Sequence, residues 1–551
     1  MLGPRRATVA VRVPWRAGFL AVLLLLAAAC GGQGEDGGAA EPAAPAPSRG
    51  GVVRILQEVS QTLDPMAVSS VYEALLADQL FDGLVAVGPN LQIVPGLADT
   101  WTISKDNLEY TFHLRPGVRF HDGSECDAED VAFTIRRVLL SKQKPRSIAF
   151  SYLGAVAGAM DFAEGRRSDL PGVETPDART VRIRLERPYL SFLEVLAMDG
   201  LRVVPRHVVE RIGGEAFARS PVGTGPFRLD SWDAKGIRIV ANAAYFGGPP
   251  HLDAVEIVFR RDGEVRIHEG LFERGEVDVF SVGGDELQGV RSDPRLKIFR
   301  YHELSLMFFG LRTGAPPLDD VRVRQAIAHA IDRDAIVKMS PLRRTAVGIL
   351  PPGMPAYSPS VKTLAYDPAR ARKLLAEAGH PGGSGLLPVR FLMTPAGPLA
   401  EALYEKFRSD LADVGIPVEF EQVTWPELSR KVDEHAAPAF TLGWTADLHD
   451  PDTFLRTLFL YGTEGNIFEL NDGRCDALLE AGAREMNPVE RNRIYREAEQ
   501  RILELAPIVP LFHSVGTLGV RSGIHGIEPG PLGLAGVDFE NVWIDSEGGG
   551  A

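Results

Sequence analysis

A strand, a helix and a second strand fall within about thirty residues near the middle of the second half of this chain, and that grammar restricts the fold more than any other feature. VRFLM, Val389–Met393, reads as a strand. A helix follows from about Pro398 to Val414, with Leu399, Ala402, Leu403, Phe407 and Leu411 turned inward. Gly415 stops it, and a new strand, IPVEF, begins at Ile416. This is a βαβ unit, so the chain is of the α/β class. The same grammar recurs. In DPARARKLLAEAG, Asp367 is the N-cap, Pro368 the first helical residue and Gly379 the stop, with Ala371, Leu374, Leu375 and Ala378 on one face. DDVRVRQAIAHAIDRDAIV starts on Asp319 or Asp320 and carries Val323, Ile327, Ala330 and Ile331 at helical spacing. A late helix, Pro488 to Leu505, buries Ile494, Ala498, Ile502 and Leu505. Period-two strands are expected at Tyr110–Leu114, Val181–Leu185, Ile237–Val240 and Val255–Phe259. With 551 residues and 45% hydrophobic content, the chain is too long for one core and long enough for two or three domains. No internal repeat is visible.

The first fifty residues stand apart. Arg5, Arg6, Arg12 and Arg16 form a basic start, and AGFLAVLLLLAAA, Ala17–Ala29, is an apolar run too short for a comfortable membrane span. The small residues before Cys30 resemble the lipobox of bacterial lipoproteins, although Ala27 stands where that pattern prefers Leu and Leu26 lies one step earlier. The resemblance implies that Cys30 is the lipidated first residue of the mature chain. A plain secretory signal is the alternative. Gly31–Gly51 is Gly, Ala and Pro with almost no large apolar residue, and reads as a flexible tether. The chain is then exported to the cell envelope and anchored to a membrane without spanning it. Cys126 and Cys475 are the other cysteines; export permits a disulfide, and spacing leaves open whether the two meet.

Charge and motif exclude several functions. The formal net charge is −14, opposite to the basic stripe that a nucleic-acid partner requires. GTGPFR, Gly223–Arg228, lacks the third Gly of a dinucleotide loop. His302-Glu303 has no second His four residues on, and GGSGL, Gly382–Leu386, ends in Leu where a nucleophile elbow needs Gly. A phosphate loop is absent. No catalytic set, cofactor or metal site is expected, although a triad dispersed along the chain remains open.

Several segments, in order, resemble the bacterial extracellular solute-binding proteins of family 5, the receptors of peptide, nickel and related ABC importers. They are LDP (Leu63–Pro65), YEALLADQLFDGL (Tyr72–Leu84), the long run Leu97–Val138, VGTGPF (Val222–Phe227), PPLDDVRVRQAIAHAIDR, LPPGMP (Leu350–Pro355), YDPARARKLLAEAG, GWTADLHDPDTFL and ELAPIVPL (Glu504–Leu511). Cys126 replaces a residue usually Thr. The resemblance implies a two-lobed clamshell with an extra subdomain inserted in the first lobe. Residues 1–29 would be the signal peptide and 30–50 the tether. The first lobe would take 51–84, 201–304 and 509–551 with the tail; the subdomain would be 85–200 and the second lobe 305–508. Ligand would lie between the lobes and closure would bury it. A permease and an ATPase are the implied partners, and a monomer is expected. In FHDG, Asp-Gly is a turn pair and His121 is expected to satisfy a local hydrogen bond.

Within this frame GWTADLHDP, Gly443–Pro451, is the candidate site. By pattern alone Asp447 is a turn or cap residue; Asp450, before Pro451, fits that role well. The resemblance implies that Asp447 receives the α-ammonium group of a bound peptide, because a buried ammonium needs a compensating carboxylate. Trp444 would line the adjacent pocket or else be a core residue. Asn466, in GTEGNIF, would sit near the cleft or else cap its loop. His449 beside two acids leaves a metal as rival. The expected function is therefore capture of a di- or oligopeptide or similar amine-bearing solute. A nickel or metallophore receptor of the same fold, a sensory receptor and a secreted hydrolase are the alternatives.

Overall fold

The computed structural model describes residues 47–545 except 89, 143–146, 261–267, 395–397 and 464. Cys30, the apolar leader and the tether up to residue 46 lie outside the described residues.

The chain folds as three packed bodies. In the first, Val52–Gln57 is central. It runs parallel to Ala254–Phe259, with Val52 opposite Ala254 and Gln57 opposite Phe259, and parallel to Val279–Ser281 on its other side. Gly236–Ala241 and Phe227–Trp232 extend the sheet antiparallel. Burial alternates along Val52–Gln57, so Val53 and Ile55 enter the core with Leu76, Phe81, Phe227 and Ile257. Val537, Phe539 and Val542 close the same core from the C-terminal end.

The second body is built between residues 84 and 203. A four-stranded antiparallel sheet runs in the order Ala98–Ile103, Glu109–Leu114, Thr180–Arg184, Val173–Asp177. Helix Ala128–Leu140 covers it. Asp127 and Asp130 form a capping box at its start, which satisfies two backbone donors reciprocally. This body is tied firmly to the first. Arg137 Nη1 donates to Asp64 Oδ1 at 2.8 Å. His121 receives the Gly223 N–H on Nδ1 at 3.2 Å and donates from Nε2 to the Gly225 carbonyl at 3.1 Å, and burial lowers its pKa, which keeps it neutral. His121 thus has the structural role expected of it, but its bonds are to the distant backbone of GTGPF and not within its own turn.

The third body holds the βαβ unit. Val389–Met393 pairs in parallel with Val418–Gln422, joined by helix Pro398–Asp413. The sheet continues through Ala439–Thr445 and Ser305–Leu311 to Ile508–Arg521. Helix Pro368–Glu377 is capped by Asp367 with Pro at its first position, and helix Pro488–Leu505 has the bounds expected from sequence. The segment beginning at Asp319 departs from expectation. Helix Val321–Ala330 starts on Asp320 and ends at Ile331, which is extended; a second helix, Arg333–Lys338, restarts on Asp332. Asp332 interrupts the run because its side chain accepts the Ala335 N–H while its own N–H donates to Asp410.

The strand Ile508–Arg521 joins the bodies. Its first half pairs with Ser305–Leu311, and its second half with Leu296–His302 and Val279–Ser281. The segment His302–Ser305 crosses beside it, so two neighbouring stretches connect the first and third bodies. Cys126 and Cys475 are free thiols in different cores, and burial pushes the Cys475 thiol up to about 12. Among the described residues, no helix is long and apolar enough to cross a membrane.

Candidate functional site

The site loop leaves strand Ala439–Thr445 where that strand faces Ser305 and Leu306. Ala446 donates its N–H to the Leu304 carbonyl, fixing the exit. The chain then runs through Asp447, Leu448, His449 and Asp450 into a single turn, Pro451–Thr453, and on to helix Leu455–Phe459. Thr453 is fully buried and organises the loop. Its hydroxyl accepts the Asp447 N–H at 3.1 Å and donates to Asp447 Oδ2 at 3.3 Å. Its carbonyl accepts the indole N–H of half-buried Trp444 at 2.8 Å.

Asp447 itself remains open to solvent. Protein nevertheless crowds the carboxyl closely enough that loss of hydration pushes it up to about 6, against the opposing pull of the Thr453 hydroxyl. A group both reachable and crowded lies in a recess. Among the described residues, no lysine, arginine or histidine forms an ion pair with it, and the only group opposing its upward shift is Thr453.

The other acids of the loop are spent on structure. Asp450 is buried. It accepts from Arg491 through two bonds of 2.6 and 2.9 Å, caps the turn by accepting the Asp452 N–H at 2.8 Å, and accepts the hydroxyl of Ser191 from the second body. Buried Asp452 accepts from the Tyr495 hydroxyl. A buried carboxylate is tolerated when it is paired and bonded in this way. His449 donates from Nε2 to the Gly353 carbonyl at 2.7 Å. Asn466 is also buried; its amide donates to the Leu470 carbonyl at 2.8 Å and accepts the Leu470 N–H at 3.1 Å, which is loop-capping geometry. The loop thus holds Trp444 and Asp447 together through Thr453, while the polar groups of Asn466 are engaged elsewhere. Among the described residues, no group of three or more His, Cys, Asp and Glu side chains could hold a metal. Thr453 stands in the quoted motif, but Ser191 and Arg491 lie far away in sequence and carry no local signal.

Two α/β bodies joined through paired strands and a third body packed beside them define a clamshell of the periplasmic-binding-protein class. The chain belongs to the bacterial extracellular solute-binding proteins, family 5, whose middle-region model matches residues 92–466. It is 30% identical over 481 residues to heme-binding protein A of Haemophilus influenzae, covering 83% of this chain and 85% of that one. It is 29% identical over 477 residues to the dipeptide-binding protein of Escherichia coli K12, covering 82% and 86%. Among solved structures, the periplasmic binding protein DppA from Helicobacter pylori in complex with peptide STSA superposes with a TM-score of 0.77 at 26% identity, covering 91% of this chain and 99% of that one.

Proposed function

We propose that this chain is the substrate-binding lipoprotein of an ABC importer, and that it captures a short peptide or similar amine-bearing solute between its lobes. Asp447 receives the ligand ammonium, Trp444 walls the pocket beside it, and Asn466 clamps its own loop. The lobes follow the boundaries read from sequence, with 85–200 as the inserted subdomain. Lipid on Cys30 holds the protein at the membrane, and a permease and its ATPase take the solute from the closed form. The protein carries out no bond chemistry and acts as a monomer.

One observation supports the ligand class above the others: Asp447 is solvent-reachable, crowded and, among the described residues, without a protein counter-charge. A cationic group entering the recess restores the charge balance, and a carboxylate gives it short, charge-assisted bonds. His449 and Asp450, the rest of the apparent metal set, are already bonded within the protein. Calorimetric titration of a dipeptide and its N-acetylated form tests the reading. The free amine should bind and the acetylated form should bind far more weakly. Equal affinities would remove the ammonium from the site. Native mass spectrometry of the purified protein identifies a co-purified solute directly; a porphyrin or metal chelate there would overturn the peptide assignment, and a cleaved peptide would restore the hydrolase.

A further inference from the structure

The site loop has a second side. Leu448, next to Asp447, leaves the third body and is buried in the core of the second, among residues drawn from 84–203. The reverse also holds. Leu91, on the turn between strands Val85–Val87 and Ile93–Pro95 of the second body, packs against the core of the third, which contains Phe308, Phe440 and Leu455. Two apolar side chains are therefore exchanged across one boundary. A polar clasp spans the same boundary, in which Ser191 donates to Asp450 and Arg491 grips the same carboxylate.

We propose that the loop Ala446–Thr453 is a two-sided latch: one side presents Asp447 to the solute, and the other fastens the second body to the third through Leu448, Ser191–Asp450 and the reciprocal Leu91. Ser191, Leu448 and Leu91 are then positioning residues for Asp447, and the recess around that carboxylate is complete only while the two bodies are fastened. The ligand half of this inference rests on the function proposed above; the latch half does not.

The groups facing the loop from the second body suit a clasp rather than a charged contact. Tyr152 is buried opposite Asp447, Thr453 and Thr457, and Tyr189 opposite Asp450, Asp452 and Arg491; both phenols are held protonated by burial. Glu194, on helix Phe192–Leu196, lies close to Asp450 and Arg491. Burial first, and then the Asp450 charge, push its carboxyl up to about 8, so near neutral pH it adds no second negative charge there. From the third body, Tyr495 and Arg456 complete the charged and titratable surroundings of Asp452. Hydrophobic plugs and a shielded hydrogen bond give a contact that can open and close as a unit.

The test uses Ser191→Ala and Leu91→Asn, Asn being the side chain that best tolerates the positive φ of Leu91. Hydrogen exchange in the ligand-free protein reads the latch directly. Exchange should rise in 446–453 together with 147–153 and 189–196 in both variants, while melting of the first body is unchanged. Dipeptide affinity should fall about tenfold, the scale of one lost hydrogen bond to a charged acceptor. The pH at which affinity is half lost should also move downward, because an unfastened recess rehydrates Asp447, an effect that simple loss of stability would not produce. Unchanged exchange in all three segments would overturn the latch. Raised exchange with affinity and its pH midpoint unchanged would overturn the coupling to Asp447. If Asp447→Asn also leaves affinity unchanged, the failure lies in the ligand reading and not in the latch.

Discussion

Thr453 holds Asp447 by both ends, accepting its backbone N–H at 3.1 Å and donating to its Oδ2 at 3.3 Å. The hydroxyl favours the charged carboxylate, while the crowding around it favours the neutral acid. Thr453→Val keeps the shape and removes the bond. The carboxyl should then rise further above about 6, where it now lies. Titration of dipeptide affinity against pH checks this: the midpoint should move upward in the variant, and an unmoved midpoint would show that the hydroxyl does not tune the charge.

In the unaltered protein, affinity for an amine-bearing solute should be highest near neutrality and fall as pH drops through about 6, because a protonated Asp447 cannot pair with an ammonium. Asp447→Asn should weaken binding by about 2–5 kcal/mol, the scale for stranding one partner of a close charge pair. Its effect on folding should have the opposite sign. The carboxyl is raised from 3.8 to about 6 on folding, so the native state is penalised for ionising it. That penalty is absent at pH 3.8 and below, grows as pH rises and is complete above about 6. Calorimetry should therefore show ligand-free Asp447→Asn melting higher than the parent at pH 7 and no higher at pH 3.5.

Glu194 predicts a second pH dependence, on the alkaline side. Its carboxyl goes from 4.5 to about 8 on folding, so folding is favoured while it is neutral and loses that advantage as pH rises through this window. Melting curves of the parent and Glu194→Gln should converge at low pH and separate by pH 9, with the variant the more stable. Superimposable pH profiles would show that Glu194 is hydrated in solution.

Arg491 is buried against Asp450, with Asp452 at 3.8 Å. Arg491→Met strands two carboxylates and should destabilise the fold by about 3–5 kcal/mol, as removal of one partner from a buried pair does. Chemical denaturation measures it. A loss below about 1 kcal/mol, the value of an exposed pair, would mean that water reaches the clasp.

The elements were legible where their signals are local. Asp367 with Pro368, the βαβ unit at 389–422 and the late helix at Pro488–Leu505 stand as read, because caps, stops and side-chain periodicity act within a few residues. Ile331 shows the limit: apolar spacing continued past Ala330, but Asp332 bonded to Asp410, 78 residues away, and ended the helix. Asp447 and Trp444 could be singled out in one motif. Their relation to each other through Thr453 could not, because it depends on how the turn folds back.

By itself, the sequence determined the α/β class, the strands and helices with local signals, such as the βαβ unit at 389–422 and the helix Pro488–Leu505, and the family. Tertiary structure alone decided which acid of the loop Ala446–Thr453 is free. Asp450 and Asp452 are satisfied by Arg491 and Tyr495, about forty residues downstream, and Asp450 also by Ser191, 259 residues upstream, whereas among the described residues no such cation reaches Asp447. The physical reason is that a carboxylate's role follows from its hydration and its counter-charges. Both are set by groups that only the folded chain brings within a few ångströms.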